Sequence, residues 1–596
     1  MTTSAEPQKS LLGLSRFARR SFAARHYSFT LRGLCPRPTG ASPEWGPTPA
    51  ARSGAELSFR QGIARTEMPT FKLDGREIPF ERGDTIIRAA HRMGIDIPHY
   101  CWHPGLSVAA NCRMCLVEIA PPPGQRPLSL DILRWDAEKN DYVVVQKPKL
   151  QPACQVSVVE NMEVKSESSV EAEKARATVQ ELLLLNHPVD CPICDQAGEC
   201  RLQDYWLEHQ GTQKRMRDEP IHKPKGVVFG PTIVYDAERC IVCTRCVRFS
   251  AEIAKDPVLD ERQRGNLTEI VVSPGRQLDH DYTLMTEHVC PVGALTSSDF
   301  RFKARVWFLR SARTVCTGCA TGCNAYLDYD PRTMTPHRHR PRDNMAVNQY
   351  WMCDEGMLSY DRVVENRLLE PRVAGKRATV DSALAEVKRR FAGVSPESIA
   401  IVLSAQHSNE DNFALFELGR TFIGAKTFFL SGKPKGKGDD ILMHQDKNPN
   451  TAGARKLAPA VRPFQQLLEG VLAGAFTHVL ALGADLPGAP ELIEAPLGKV
   501  ATLVTIASHE GPLVRRAHVA LPACTWAEAE GTYVNSRGMA QKSERAIDPK
   551  GQSRPAWELV SRVGETLGYA TRWRKLKEVR RAMEPESASA TAPAGA

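Results

Sequence analysis

The sequence predicts an α+β multidomain chain, and three observations carry that prediction. A hairpin-then-helix pattern opens the well-patterned part of the chain at residues 70–93. Fifteen of the seventeen cysteines fall between Cys101 and Cys353, in tight groups. After residue 360 short apolar runs alternate with helical patterns. The 596 residues leave room for roughly three to five domains. No uninterrupted apolar run reaches the ~18 residues of a membrane span, so any membrane association is expected through partners. The net charge of +9 is modest for this length and is gathered near the two ends, which is not a nucleic-acid footprint.

Residues 1–67 differ from the rest. Arg16, Arg19, Arg20, Arg25, Arg32 and Arg37 stand in a stretch, 10–40, without an acidic residue. That composition is either a mitochondrial transit peptide or a start placed upstream of the true one. Met68, which heads MPTFKLDGREIPF, favours the second reading. The segment is expected to be disordered in either case, and Cys35 within it has no ligand group around it.

From Thr70 to Phe80 the chain alternates and turns at Asp74-Gly75, which predicts a β-hairpin. A helix follows over 85–93, with Gly94 as its stop. Residues 121–148, rich in Pro, Asp and Lys, read as an inserted surface loop within a first domain at 68–165. Helices are expected over 169–185 and 200–209, in a second unit at 166–225. A third unit, 226–305, and a fourth, 306–362, carry further cysteine groups. In 363–570 the runs SIAIVLSA, THVLALGAD and ATLVTIAS predict parallel strands of an α/β domain. The tail, 571–596, starts basic and helical and ends in a low-complexity SASATAPAGA.

C-x-x-C groups in so large a chain suit metals better than cross-links, which points to a reducing compartment. The first group is Cys101, Cys112, Cys115 and Cys154, spaced C-x10-C-x2-C-x38-C. It echoes, without matching, the plant-type ferredoxin spacing, and the hairpin and helix before it suit a β-grasp ferredoxin-like domain with a [2Fe–2S] cluster. The second is His187, Cys191, Cys194 and Cys200, all within 14 residues, so that they can encircle one centre unaided. A neutral imidazole in place of an anionic thiolate should raise that centre's potential. The third, Cys240, Cys243, Cys246 and the remote Cys290-Pro291, is the C-x2-C-x2-C…CP signature of a [4Fe–4S] cluster. The fourth, Cys316, Cys319, Cys323 and Cys353, is complete for another [4Fe–4S] cluster. Structural zinc would also accept sixteen N/S ligands. Zinc knuckles come in pairs, however, whereas here each C-x2-C is completed by single ligands.

The order of these groups, within NCRMCLVEI (111–119), NHPVDCPICDQAGECRLQD (186–204), RCIVCTRCVRFSAEI (239–253) and CPVGALTS (290–297), resembles the large iron–sulfur subunit of respiratory NADH:quinone oxidoreductase, complex I. That subunit is called G in bacteria and the 75-kDa subunit in mitochondria. The resemblance is dense over about 69–362 and implies one [2Fe–2S] and three [4Fe–4S] clusters on the sixteen residues named. The set Cys316, Cys319, Cys323 and Cys353 is similar to an extra, off-pathway cluster of some bacterial members. Its presence argues for a bacterial protein and against the transit-peptide reading, and the resemblance implies a place peripheral on the cytoplasmic side of the inner membrane. EGTYVNSRGMAQ (530–541) resembles a segment of molybdopterin oxidoreductases, here in reduced form.

The implied partners are the flavin- and NADH-binding subunit and the quinone-proximal iron–sulfur subunits, with no nucleic acid. The chain would carry electrons rather than hold the NADH or quinone site, and it shows no Gly-rich dinucleotide fingerprint. Two other readings share parts of the pattern. An iron-only hydrogenase needs a further cysteine set, yet only Cys524 follows Cys353. A molybdopterin-type formate dehydrogenase needs a metal ligand and a larger body to enclose its pterins.

Overall fold

The computed structural model describes residues 68–126, 128–209, 215–488, 490–570 and 573–584. The chain separates into Met1–Thr66 and Glu67–Ala596. The expectations for residues 1–67 and for the end of the tail lie outside the described residues. No described helix is long and apolar enough to cross a membrane.

The predicted hairpin forms from Thr70–Leu73 and Arg76–Pro79. Asp74 and Gly75 both turn through positive φ, 48° and 80°, the conformation a tight two-residue hairpin needs. These strands extend through Glu163–Lys165 to Leu116–Ala120 and Gln151–Pro152 in a five-stranded mixed sheet. Alternation buries Phe71 and Leu73 and leaves Lys72 outside. They pack with Ile86 and Ile87 of the helix Ile86–Arg92 and with Trp102, Val117 and Val164.

The segment expected as an inserted loop is instead an antiparallel ribbon, Ser129–Asp136 paired with Asp141–Pro148. Among the described residues its two strands pair only with each other, and Leu133, Trp135, Tyr142 and Val144 remain exposed. The Pro, Asp and Lys content masked a content of β-branched and aromatic residues that favours extended pairing.

The helix Val170–Leu184 starts at Ser169, whose hydroxyl accepts from the Ala172 amide at 3.2 Å. Its buried face is partly polar. Arg176 donates to the Ser166 hydroxyl at 2.7 Å, and Gln180 donates to the Tyr100 hydroxyl at 2.6 Å. Thus it docks onto the first domain by specific bonds rather than by an apolar stripe. The helices Arg201–His209, Arg245–Glu252 and Leu284–His288 follow. A three-stranded sheet, Leu295–Ser297, Ile233–Tyr235 and Val227–Val228, supports the third cysteine group. A second antiparallel sheet, Arg310–Val315, Asn324–Asp330 and Thr335–Pro341, supports the fourth.

The segments expected as separate cluster domains do not each have a private core. Tyr100, Met114, Leu202, Tyr205, Phe249, Val292, Ala325 and Trp351 belong to one apolar cluster that also includes cysteines of all four groups.

Beyond residue 363 the predicted parallel strands appear as Ile399–Ser404, His478–Leu482 and Thr502–Ala507. They sit centrally in an eight-stranded sheet, six strands of it parallel. Ile399, Ile401 and Leu403 face one core with the helices Val380–Phe391, Asn409–Glu417 and Ala556–Leu567. Ala400 and Val402 face another with Phe464–Leu472 and Pro490–Leu497. Burial on both faces explains the continuous apolar runs.

Candidate metal centres

The structure gathers the sequence-predicted residues into the same four sets. In the first, the thiols pair two by two: Cys101 hydrogen-bonds Cys112, and Cys115 hydrogen-bonds Cys154. Within each pair the shared hydrogen bond holds one sulfur down, Cys101 and Cys154, and pushes its partner up. Two pairs are what a cluster of two irons, each with two thiolates, would require. Cys101, Cys115 and Cys154 are buried, with Ala153 donating its amide to the Cys115 carbonyl at 2.9 Å.

His187, Cys191, Cys194 and Cys200 line one largely apolar cavity of about 450 Å³. The His187 ring has no hydrogen-bond partner among the described residues, and burial lowers its pKa to about 4. It is therefore neutral near pH 7 and keeps a lone pair free for a metal. Gly293 closes the cavity. A side-chain carbon there would stand 2.2 Å from Cys194 Sγ, so only glycine admits this approach.

The third set is held by the loop before the helix Arg245–Glu252. Val242 and Thr244, both β-branched, take left-handed conformations, with φ of 50° and 61°. Such residues rarely do so outside functional loops. The strain aims the Val242 amide at Cys240 Sγ, 3.4 Å away. In the fourth set the Gly318 amide points at Cys316 Sγ at the same distance, 3.4 Å. N–H donors aimed at sulfur raise cluster potentials. Cys316 ends one strand of a hairpin and Cys323 precedes the next, with the Cys316 amide bonded to the Cys323 carbonyl at 2.8 Å. The EGTYVNSRGMAQ segment forms a hairpin that clasps this loop: Gln541 donates to the Gly322 carbonyl at 2.8 Å and Ser536 to that of Ala320 at 2.8 Å.

Burial pushes the thiols of Cys200, Cys240 and Cys243 up to about 11, and those of Cys290 and Cys316 to about 12. Bare, these pockets hold protonated thiols; a metal would displace the protons. Among the described residues no three His, Cys, Asp or Glu side chains stand close enough to share a single ion.

Several residues that the spacing did not single out bind the sets together. Arg248, two positions past Cys246, donates to the Cys101 carbonyl at 2.5 Å and to that of Cys243 at 3.2 Å. Asn111, beside Cys112, donates to the Val242 carbonyl at 3.2 Å. Arg239, beside Cys240, is paired with Asp190, beside Cys191, at 2.6 Å. The third set thus touches both the first and the second. The only signal in the sequence was adjacency, since each of these residues lies within two positions of a cysteine. Cys524 belongs to none of the sets. It follows the strand Val519–Pro522 and lines a cleft of about 580 Å³ at the carboxyl ends of the parallel strands.

Comparison with known proteins agrees with this layout. Residues 66–169 match the family described as "2Fe-2S iron-sulfur cluster binding domain". Residues 176–215 match "NADH-ubiquinone oxidoreductase-G iron-sulfur binding region" and 230–296 "NADH-quinone oxidoreductase subunit 3, ferredoxin-like domain". Residues 472–566 match "Molybdopterin oxidoreductase". Fold and sites together define an iron–sulfur protein with [2Fe–2S]- and [4Fe–4S]-binding domains fused to a molybdopterin-oxidoreductase-type α/β domain.

The G subunit of NADH-quinone oxidoreductase from Streptomyces coelicolor is 34% identical over 319 residues, covering 53% of this chain and 35% of that protein. Its counterpart from Rickettsia conorii is 34% identical over 353 residues, 58% and 48% of the two chains. The mitochondrial NADH dehydrogenase [ubiquinone] iron-sulfur protein 1 of Solanum tuberosum is 33% identical over 410 residues, 66% and 51%. Over these stretches the chain is similar to the G subunits of NADH-quinone oxidoreductase. It spans about a third to a half of the length of these relatives. A solved NAD+-reducing [NiFe]-hydrogenase, in its H2-reduced state, is 27% identical with a TM-score of 0.32, over 40% of this chain and 92% of that one.

Proposed function

We propose that this chain relays electrons within an NADH:quinone oxidoreductase, receiving them from a flavin- and NADH-binding partner and passing them toward quinone through further iron–sulfur subunits. On this reading it sits on the periphery of a membrane-bound, proton-translocating complex, on the cytoplasmic side of a bacterial membrane. Cys101, Cys112, Cys115 and Cys154 would hold a [2Fe–2S] cluster. His187, Cys191, Cys194 and Cys200 would hold a [4Fe–4S] cluster, as would Cys240, Cys243, Cys246 and Cys290, and Cys316, Cys319, Cys323 and Cys353. Such clusters supply one-electron transfer when bound. The chain's own residues do the rest: they space the centres, keep water out and aim N–H groups at sulfur.

One observation carries the reading. The third set is joined by direct hydrogen bonds and an ion pair to both the first and the second. That adjacency supports the order first, third, second for the main route.

Iron and sulfide counting on the purified full chain, with electron paramagnetic resonance after dithionite reduction, tests the proposal. About fourteen irons and overlapping signals of one 2Fe and three 4Fe centres are expected. Silent spectra with stoichiometric zinc would overturn the reading, and stoichiometric molybdenum would move it to a molybdopterin enzyme.

A further inference from the structure

Arg245 lies between two of the thiol sets and is 6% exposed. It stands between Cys243 and Cys246 in the chain and reaches out of the third set. Its guanidinium donates to the Trp102 carbonyl, next to Cys101, and to the Val289 carbonyl, next to Cys290, at 3.4 Å. Its Nε is buried without any hydrogen-bond partner. Among the described residues no carboxylate pairs with it, although Arg239, similarly buried, pairs with both Asp190 and Asp236. Burial acts against its charge, and the nearby sulfurs of Cys243, Cys101 and Cys290 act for it.

A buried guanidinium without a carboxylate is strongly unfavourable unless other negative charge compensates it. Arginine does not escape by deprotonation. The negative charge within reach is that of thiolates, and it exists in quantity only when both flanking sets are metallated and ionised. We propose that Arg245 is the shared counter-cation of two redox centres, the one on Cys101, Cys112, Cys115 and Cys154 and the one on Cys240, Cys243, Cys246 and Cys290, and that it holds both potentials up. The inference rests on the functional reading above and deepens it. Each reduction adds one negative charge beside the guanidinium, and the guanidinium stabilises that charge. When an electron crosses, one centre is oxidised by one electron, the other is reduced by one, and no proton moves. The total charge around Arg245 is unchanged by the crossing, so the guanidinium has little reason to move.

The test is a redox titration followed by electron paramagnetic resonance on the full chain carrying Arg245→Met or Arg245→Lys. The methionine variant, close in bulk but uncharged, is expected to lower the potentials of both centres with iron and sulfide at the wild-type level. The shift should exceed any at the centre on Cys316. The lysine variant, which keeps the charge, is expected to lie nearer wild type at both centres. Unchanged potentials in the methionine variant, or a shift at only one centre, would overturn the proposal. If the methionine variant binds no clusters, the lysine variant decides. Retention of clusters there supports a role for charge, and their loss there assigns Arg245 to packing and sinks the idea. A wild-type chain that holds no clusters would overturn the functional reading itself, and this inference with it.

Discussion

His187 is the residue whose chemistry departs most from that of its neighbours. In a set of three cysteines it brings no negative charge, and its burial keeps it neutral. His187→Cys replaces a neutral donor by an anionic one, which disfavours the added electron. The variant is expected to keep its cluster and to titrate at a lower potential, as read by electron paramagnetic resonance; an unchanged potential would count against ligation by His187. At this scale the sequence was highly legible. A histidine four residues before a C-x2-C pair stands out because close spacing leaves the chain few other ways to arrange these side chains. Arg245, Arg239 and Asp190 were not legible, because their partners are carbonyls and side chains on other segments. Nothing in an isolated arginine says which carbonyl it will reach.

Between residues and domains, the loops that carry the ligands do the positioning. The turn CPVG is short enough that one end supplies Cys290 to the third set while the other, Gly293, roofs the second. Gly293→Ala forces a methyl group against Cys194 Sγ and close to Gln196 Cβ, 3.1 Å away. The variant is expected to lose the His187 centre, by iron count and spectrum, while the signal of the Cys240 centre persists. Equal loss of both would show that the turn supports the fold generally. The elements themselves were read correctly where periodicity was strong: the hairpin at 70–79, the helix Val170–Leu184 and the buried strands Ile399–Ser404 and Thr502–Ala507. The ribbon Ser129–Pro148 was missed, because it has no buried face to impose a clear alternation.

Across the whole chain, buried bonds brace the α/β domain at the point where it follows the cluster-bearing part. Arg367, just past the fourth set, is paired with Glu528 at 2.7 Å, with side chains 3% and 0% exposed. Glu528 also accepts from the Thr525 amide at 2.8 Å and the Lys550 amide at 3.0 Å. Glu528→Gln leaves Arg367 buried without its counter-charge and is expected to destabilise the protein by about 3–5 kcal/mol, measured by denaturant unfolding. A loss below about 1 kcal/mol would mean that water or Ser553 takes over the guanidinium. The sharing of one core between the cysteine groups was the least legible feature. Each cysteine group is complete in sequence and looks self-sufficient, whereas the apolar residues beneath it, such as Phe249 and Trp351, contribute to one common interior.

On the proposed reading, that common interior would make the chain a reporter of its own iron supply. Four thiol sets border one core, and burial pushes Cys200, Cys240, Cys243, Cys290 and Cys316 among them toward the protonated form until a metal displaces the proton. A chain starved of iron does not lose one centre neatly. It keeps cavities where close packing should be, and a buried arginine without its anion, in the same interior that supports the remaining sets. Such a chain opens more readily and exposes apolar segments to proteases. The number of intact copies in a cell would then follow iron availability through degradation alone, with no dedicated sensor.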